Sequence, residues 1–296
     1  MRCFSPAVNP AKLALARLFE ITGLNALSHG VQRALYAPFI RAINYHDVPP
    51  SQSELFERQL RYYADHFAPV TYAGLQQLIR GEWSAAKPGL IISFDDGLRS
   101  QAEVAGPLLE KYGFTGWFFV PLGFVETPDD QQANFARAHR IQYADEYDDG
   151  RAAMSLEEMQ RLSRRHVIGC HTDSHYRCGV HSAASELHTE IKGAKQRMEK
   201  ALECELPVFC WVGGEEDAYT SEVATLISRA GFAHSFMTNS QVIRPAADPL
   251  QLQRTNIEAD YPLWLTRFQL SGFMDLLYMS KRRRVNRLTR IGRAGA

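Results

Sequence analysis

Short apolar runs alternate with amphipathic stretches along most of this chain, and the alternation sets the expected architecture. From residue 39 the pattern predicts a strand in FIRAINY (39–45) and then a helix in SELFERQLRYYADHF (53–67). Ser51 and Glu54 carry the spacing of a capping box at the start of that helix. A continuous apolar strand follows in PGLIISF (88–94), a helix over 101–113 that stops at a glycine, and a strand in TGWFFV (115–120). The stretch 127–150 is rich in Asp and Gln without periodicity and reads as an inserted loop. Beyond it come a helix over 155–165 with Ser155 and Glu158 spaced as a second capping box, strand HVIG, a helix over 184–202, strand PVFCW, a helix over 220–231 and strand HSFMT. Strands and helices in strict alternation argue for βα units around a parallel sheet, open or closed.

The N-terminal stretch AKLALARLFEITGLNAL (11–27) places its apolar residues at helical spacing. Arg17 and Glu20 interrupt it, so it lacks the unbroken apolar core of a signal peptide. It reads as an amphipathic helix that packs on the body or lies at a membrane surface. No run approaches the roughly 18–20 apolar residues that a bilayer span needs.

In parallel βα architectures the loops after the strands converge on one rim, and reactive groups gather there. Four predicted strand ends carry such groups. His46 follows AINY, Asp95 and Asp96 follow IISF, His171 and His175 follow VIG, and VGGEED follows FCW. The two imidazoles of HTDSH (171–175) are close enough in sequence to share a cation, and a carboxylate commonly completes a three-ligand site with a position left for water. Two adjacent acids then divide two tasks. One carboxylate binds the cation, and its neighbour stays unligated to accept a proton from water, as metal-assisted hydrolysis of an amide or ester requires.

This constellation resembles the polysaccharide deacetylase family (carbohydrate esterase family 4, the NodB-homology domain). SFDDG (93–97) is similar to its first motif, HTDSH (171–175) to its second, and the flanks YGFTGWFFV and HVIGCHTDSH also look like the family. The resemblance covers roughly residues 40–240. It implies an α/β fold, a distorted (β/α)7 barrel, that removes acetyl groups from acetylated sugars. It further implies Asp95 as general base and Asp96, His171 and His175 as metal ligands. The stretch CWVGG (210–214) departs from the family's third motif, having neither its arginine nor its proline, so nothing evident in the sequence orients Asp95. The backbone N–H near Gly213 remains a candidate oxyanion donor. The family's late histidine has no counterpart on the right rim, because His234 starts its predicted strand. NYHDV (44–48) instead resembles the opening of the poly-N-acetylglucosamine deacetylase branch, and His46 is the candidate general acid. Asp47 either orients it or begins a turn.

Other residues are read both ways. Trp117, Phe118 and Phe119 are core. Trp211 either stacks on a sugar or packs in the core, Cys170 faces away from the ligand pair, and His181 and His188 are solvated. Glu215, Glu216 and Asp217 either bind sugar hydroxyls or form a solvated loop.

Composition adds little on partners. The 33 basic and 33 acidic residues balance, which gives no sign of a nucleic-acid partner. The balance hides a segment without acids that contains Lys281, Arg282, Arg283, Arg284, Arg287, Arg290 and Arg293, a basic tail that touches anionic lipid or nucleic acid or is simply solvated. Five cysteines, including Cys3, without framework spacing suggest reduced thiols.

The expected organisation is an N-terminal helical segment (1–38), a catalytic domain (39–275) and the basic C-terminal tail (276–296). The expected function is a metal-dependent hydrolase that removes acetyl from N-acetylated sugar units of a glycan or glycan precursor. Its substrate is an acetylated sugar, oligosaccharide or lipid-linked glycan. Zinc is the first candidate metal, with cobalt and nickel open. An esterase or amidase with the same metal site and a catalytically inactive carbohydrate-binding barrel are the alternatives. The chain is expected in the cytoplasm, with peripheral contact at the inner membrane face and the oligomeric state left open.

Overall fold

The computed structural model describes residues 9–291; Cys3 and Arg293 lie outside them. Eight strands run parallel: β1 (Ile40–Tyr45), β2 (Ala68–Pro69), β3 (Gly89–Phe94), β4 (Gly116–Val120), β5 (Val167–Cys170), β6 (Val208–Cys210), β7 (His234–Met237) and β8 (Leu252–Asn256). Seven of them close a barrel. β1 pairs with β3 on one side, Ile40 opposite Gly89, and with β8 on the other, Ala42 opposite Arg254. From β3 the order continues through β4, β5, β6 and β7 back to β8. β2 is a two-residue stub on the start of β3. This is the (β/α)7 barrel that the sequence motifs imply.

Both faces of the central strands are covered, which is why β3 and β4 read as nearly unbroken apolar runs. One set of side chains, including Ile43, Phe94, Phe118 and Phe209, packs outward under the helices. The alternate set, including Ile40, Ala42, Ile91, Trp117 and Phe236, fills the barrel from below. Going up those inward positions, the filling turns polar at Asn44, Ser93 and Arg254, all buried. Gly169 on β5 is required there, because a Cβ would stand 2.5 Å from the Phe119 ring that fills the interior.

Two expectations are corrected, and two features appear that the sequence pattern does not show. The 127–150 stretch is not a plain loop, since Asp129–His139 is a helix. Its first turn carries Asp129 and Asp130, which suit the positive end of the helix dipole. Its buried face is Gln132 and Ala136, and polar Gln132 hides the amphipathic signal. Ser51 does not cap the 53–66 helix; its N–H and Oγ both bond Glu146, and a short 3-10 turn leads in instead. β8 was not foreseen, because LQRTN places Gln253, Arg254 and Asn256 where a strand normally carries apolar residues. The described part of the basic tail is a helix, Met279–Leu288, with Arg282 buried and donating to the carbonyls of Asn239, Ser240 and Asp275.

The N-terminal stretch is two helices, Pro10–Ile21 and Leu24–Tyr36, broken at Gly23, which has φ +72°. The first packs on the barrel through Phe19, against Phe268 and Phe273. No helix among the described residues is long and apolar enough to cross a membrane. The four cysteines Cys170, Cys178, Cys204 and Cys210 are free.

Candidate active site

The upper ends of β1, β3, β5 and β8 bring their following residues to one rim, around a cleft of about 240 Å³. That is below the roughly 300–1,000 Å³ of sites that enclose a drug-sized ligand, so the cleft fits one group of a larger molecule. His46, Asp95, Asp96, His171 and His175 all line it, as the rim argument predicts. The turn that presents the acids is tight. Asp96 has φ +77° and Gly97 φ +65°, and a Cβ on Gly97 would stand 2.9 Å from Val120. Asp tolerates the left-handed region better than most residues, and such strained positions concentrate at functional sites.

Asp96, His171 and His175 offer ligand atoms that lie within 4.8 Å of one another. Their surroundings preset the imidazoles. His171 Nδ1 lies 3.0 Å from the Cys210 carbonyl and His175 Nδ1 lies 2.7 Å from the His139 carbonyl. A carbonyl only accepts, so each Nδ1 carries the proton and each Nε2 points a lone pair into the cluster, the usual support of a metal-binding histidine. Asp96 Oδ1 is buried, stands 3.2 Å from His175 Nε2 and 3.6 Å from His171 Nε2, and accepts no hydrogen bond. Lone pairs facing a carboxylate oxygen repel unless a cation lies among them, so the three residues fit a divalent ion. Burial favours the neutral ring of His171 and lowers it to about 4, despite the nearby Asp95.

A second set, Asp95, His171 and Cys210, also converges. It does not suit a cation. Arg254 Nη2 stands 2.8 Å from Cys210 Sγ, and burial keeps that thiol protonated by pushing it well above its usual value.

Arg254 also answers what orients Asp95. From inside β8 its guanidinium meets the carboxylate in a two-pronged bond, Nη1 to Oδ1 at 2.7 Å and Nη2 to Oδ2 at 2.8 Å. Asn44 and Ser93 accept further bonds from Nη1, and the guanidinium lies 5.0 Å over the Phe119 ring. Burial works against the Asp95 charge, but the Arg254 cation outweighs it and lowers the carboxyl below its ordinary value. The missing motif arginine is thus supplied from another strand.

His46 sits across the cleft with its side chain 38% exposed, Nδ1 3.6 Å from Glu258. Burial disfavours its charge, yet Glu258 and then Asp96 and Asp95 raise it to about 10. Asp47 does not orient it, because its two oxygens accept from Ser100 Oγ and the Ala144 N–H. Gln101, in a π-helical turn over Gln101–Ala105, donates to the carbonyls of both His46 and Asp95 and ties the two loops together. Such turns recur at functional sites.

Trp211 is 2% exposed with its ring 5.1 Å from Tyr219, so most of it packs in the core while its edge lines the cleft. Gly213 lines the cleft, and its carbonyl accepts from Tyr219. Glu215 and Asp217 pair with Arg177, and Glu216 with Arg284, so that loop is tied down. His234 begins β7 at the opposite rim, edge-on to Tyr72. Arg254, Glu258, Gln101 and Cys210 escaped the sequence reading. Had β8 been recognised, the same rim rule would have picked Glu258, two residues past its end.

A model of polysaccharide deacetylases matches residues 84–234. No curated protein matches the chain. Among solved structures it is similar to the deacetylase PplD of Streptococcus pyogenes in complex with acetate, with 20% identity, a TM-score of 0.62 and coverage of 80% of this chain and 98% of that one. It is also similar to IcaB from Ammonifex degensii, with 18% identity, a TM-score of 0.58 and coverage of 81% and 98%. A de-N-acetylase from Aggregatibacter actinomycetemcomitans aligns with 15% identity, a TM-score of 0.61 and coverage of 78% and 99%. At these identities the likeness shows the fold. His46, Arg254 and Glu258 lie outside the segment that the family model matches.

Proposed function

Because the chain belongs to the polysaccharide deacetylase family, we propose that it is a metal-dependent de-N-acetylase acting on acetylated sugar units of a glycan or glycan precursor. The observation that carries this reading is the pairing of an arginine-clamped, ionised Asp95 with a three-residue set whose buried Asp96 Oδ1 is left without a hydrogen bond.

Asp96, His171 and His175 would hold the metal, zinc first with cobalt or nickel as alternatives, since ligand type constrains the choice weakly. A divalent ion there supplies Lewis-acid polarisation and makes a nearby water more acidic. The chain's own residues do the rest. Asp95, fixed by Arg254, takes a proton from the attacking water as its oxygen bonds to the acetyl carbon. The charge that develops on the carbonyl oxygen needs donors, and the backbone at Gly213 lines the cleft where such a donor serves. As the C–N bond breaks, His46 gives its proton to the departing amine, leaving acetate and a free amine. Glu258 keeps His46 charged until that moment. A purely binding barrel needs neither the Arg254 clamp nor the two carbonyl-anchored imidazoles.

The test is acetate release across acetylated monosaccharides, oligomers and lipid-linked sugars, with and without a chelator. Release that stops with chelator and returns with added zinc supports the reading. No release from any substrate overturns it.

A further inference from the structure

The Leu24–Tyr36 helix is turned inside out. Its buried residues are polar, Asn25 and Gln32. Gln32 donates to the Leu270 carbonyl and accepts from Arg41, His29 reaches the Arg267 carbonyl, and Asn25 bonds Glu20. The outward face carries Leu27, Val31 and Leu35, at 62%, 47% and 64% exposure. Spacing of four residues aligns them in one stripe along the helix. Leu18 and Ile21 of the preceding helix are exposed as well, Ile21 at 83%. A water-facing helix with this pattern would normally turn its leucines inward.

The second apolar cluster adjoins the first. Leu276, Leu277, Met279 and Leu288 are exposed in the segment 273–288. Among the described residues, every exposed large hydrophobic except Val180 belongs to these two segments. They touch: Phe19 packs on Phe273 at 5.3 Å, and the Arg41 guanidinium bonds Gln32 on one side and Asp275 on the other. The helix Met279–Leu288 contains no acid, and Arg283 and Arg287 on it are exposed, followed by exposed Arg290. Tyr278 and Lys281, within the same segment, line the catalytic cleft.

We propose that these two segments form a docking surface for an anionic lipid bilayer, with the cleft beside it. Apolar side chains on amphipathic helices enter the boundary between headgroups and acyl chains, and neighbouring arginines meet the lipid phosphates. A second copy of this chain is the poorer occupant, since like arginines would face one another across the contact. The placement of Tyr278 and Lys281 then puts the cleft mouth at the lipid surface, where a lipid-linked sugar would present its acetamido group. That last step rests on the deacetylase reading; the docking itself does not.

The experiment is co-sedimentation of the full chain with phosphatidylcholine vesicles, and with vesicles containing about one-third phosphatidylglycerol, at low and high salt. Two variants accompany it, Leu27→Ser/Val31→Ser/Leu35→Ser and Arg283→Gln/Arg287→Gln/Arg290→Gln. All six side chains are exposed, so folding is spared. The wild type is expected to bind the anionic vesicles, to release in high salt, and to lose affinity about tenfold or more in each variant. Metal content and turnover of a soluble acetylated oligosaccharide stay unchanged. Binding that ignores lipid charge, or that survives both variants, overturns the proposal. So does a dimer in vesicle-free solution that the serine variant dissociates, which assigns the face to a second copy. Binding is read without turnover, so its failure leaves the deacetylase reading standing, and an inactive chain that binds vesicles leaves the docking standing.

Discussion

Arg254 is the residue on which the chemistry turns. A bidentate arginine–carboxylate pair fixes geometry as well as charge, and lysine cannot reproduce the fork. Arg254→Lys is therefore expected to lower kcat/KM about 10- to 100-fold with metal content unchanged, since a few kcal/mol of positioning is at stake. The sign of its pH effect follows from Asp95, which Arg254 holds below its ordinary value. Weakening the pair raises the Asp95 pKa, so the acid limb of the kcat/KM profile moves to higher pH. Glu258→Gln acts on the other limb. His46 must be protonated to act as the acid, and Glu258 heads the charges that raise it to about 10. Removing that carboxylate lowers the His46 pKa, so activity is lost at a lower alkaline pH than in the wild type. A Glu258→Gln profile whose alkaline limb does not move would remove Glu258 as the partner of His46.

Among the elements, those with uniform surroundings were legible in sequence. Strands β3 and β4 are apolar but for Ser93, and their runs announce them; β1 is broken by Arg41 and Asn44 yet keeps enough apolar residues to be read. β8 was not legible, because its inward residues line the polar top of the barrel and Arg254 breaks the apolar run. The metal set was visible because Asp95–Asp96 and His171–His175 are each local in sequence. The Asp95–Arg254 and His46–Glu258 pairs span most of the chain, and only closure of the barrel brings them together. The Asp129–His139 helix was hidden by its buried glutamine, which is also what makes it matter. Gln132 Oε1 accepts from the N–H groups of both Ala152 and Ala153, while Nε2 donates to the Thr127 carbonyl. Gln132→Ala leaves buried backbone donors unpaired, at about 1–3 kcal/mol for an unsatisfied group. The same helix ends at His139, whose carbonyl holds His175. The variant is expected to lower the urea midpoint and to weaken metal binding together. A lowered midpoint with metal affinity unchanged would separate the helix from the site.

For the whole molecule, histidines outside the site couple stability to pH, among them buried His234 and half-buried His29. His29 and His234 are each lowered to about 4, with burial the leading cause. Unfolded, they titrate near 6.5. Both folded values are depressed, so their contribution is fully present above about 6.5 and is lost as pH falls toward about 4. Urea midpoints measured across that window are expected to decline steadily, and His234→Gln should flatten the decline; a midpoint constant from neutrality down to pH about 4 would contradict this linkage. The architecture joins these scales. A barrel apolar below and polar above places one arginine under one carboxylate, and the loops above it set a cation site beside that carboxylate. Two neighbouring acids with different tasks therefore stand at the centre of the chemistry. Metal content and acetate release, measured side by side in Asp95→Asn and Asp96→Ala, test it most directly. The expected result is that Asp95→Asn keeps one metal per chain and loses turnover, while Asp96→Ala loses both. Equal metal loss in the two variants, or turnover surviving in Asp95→Asn, would contradict it.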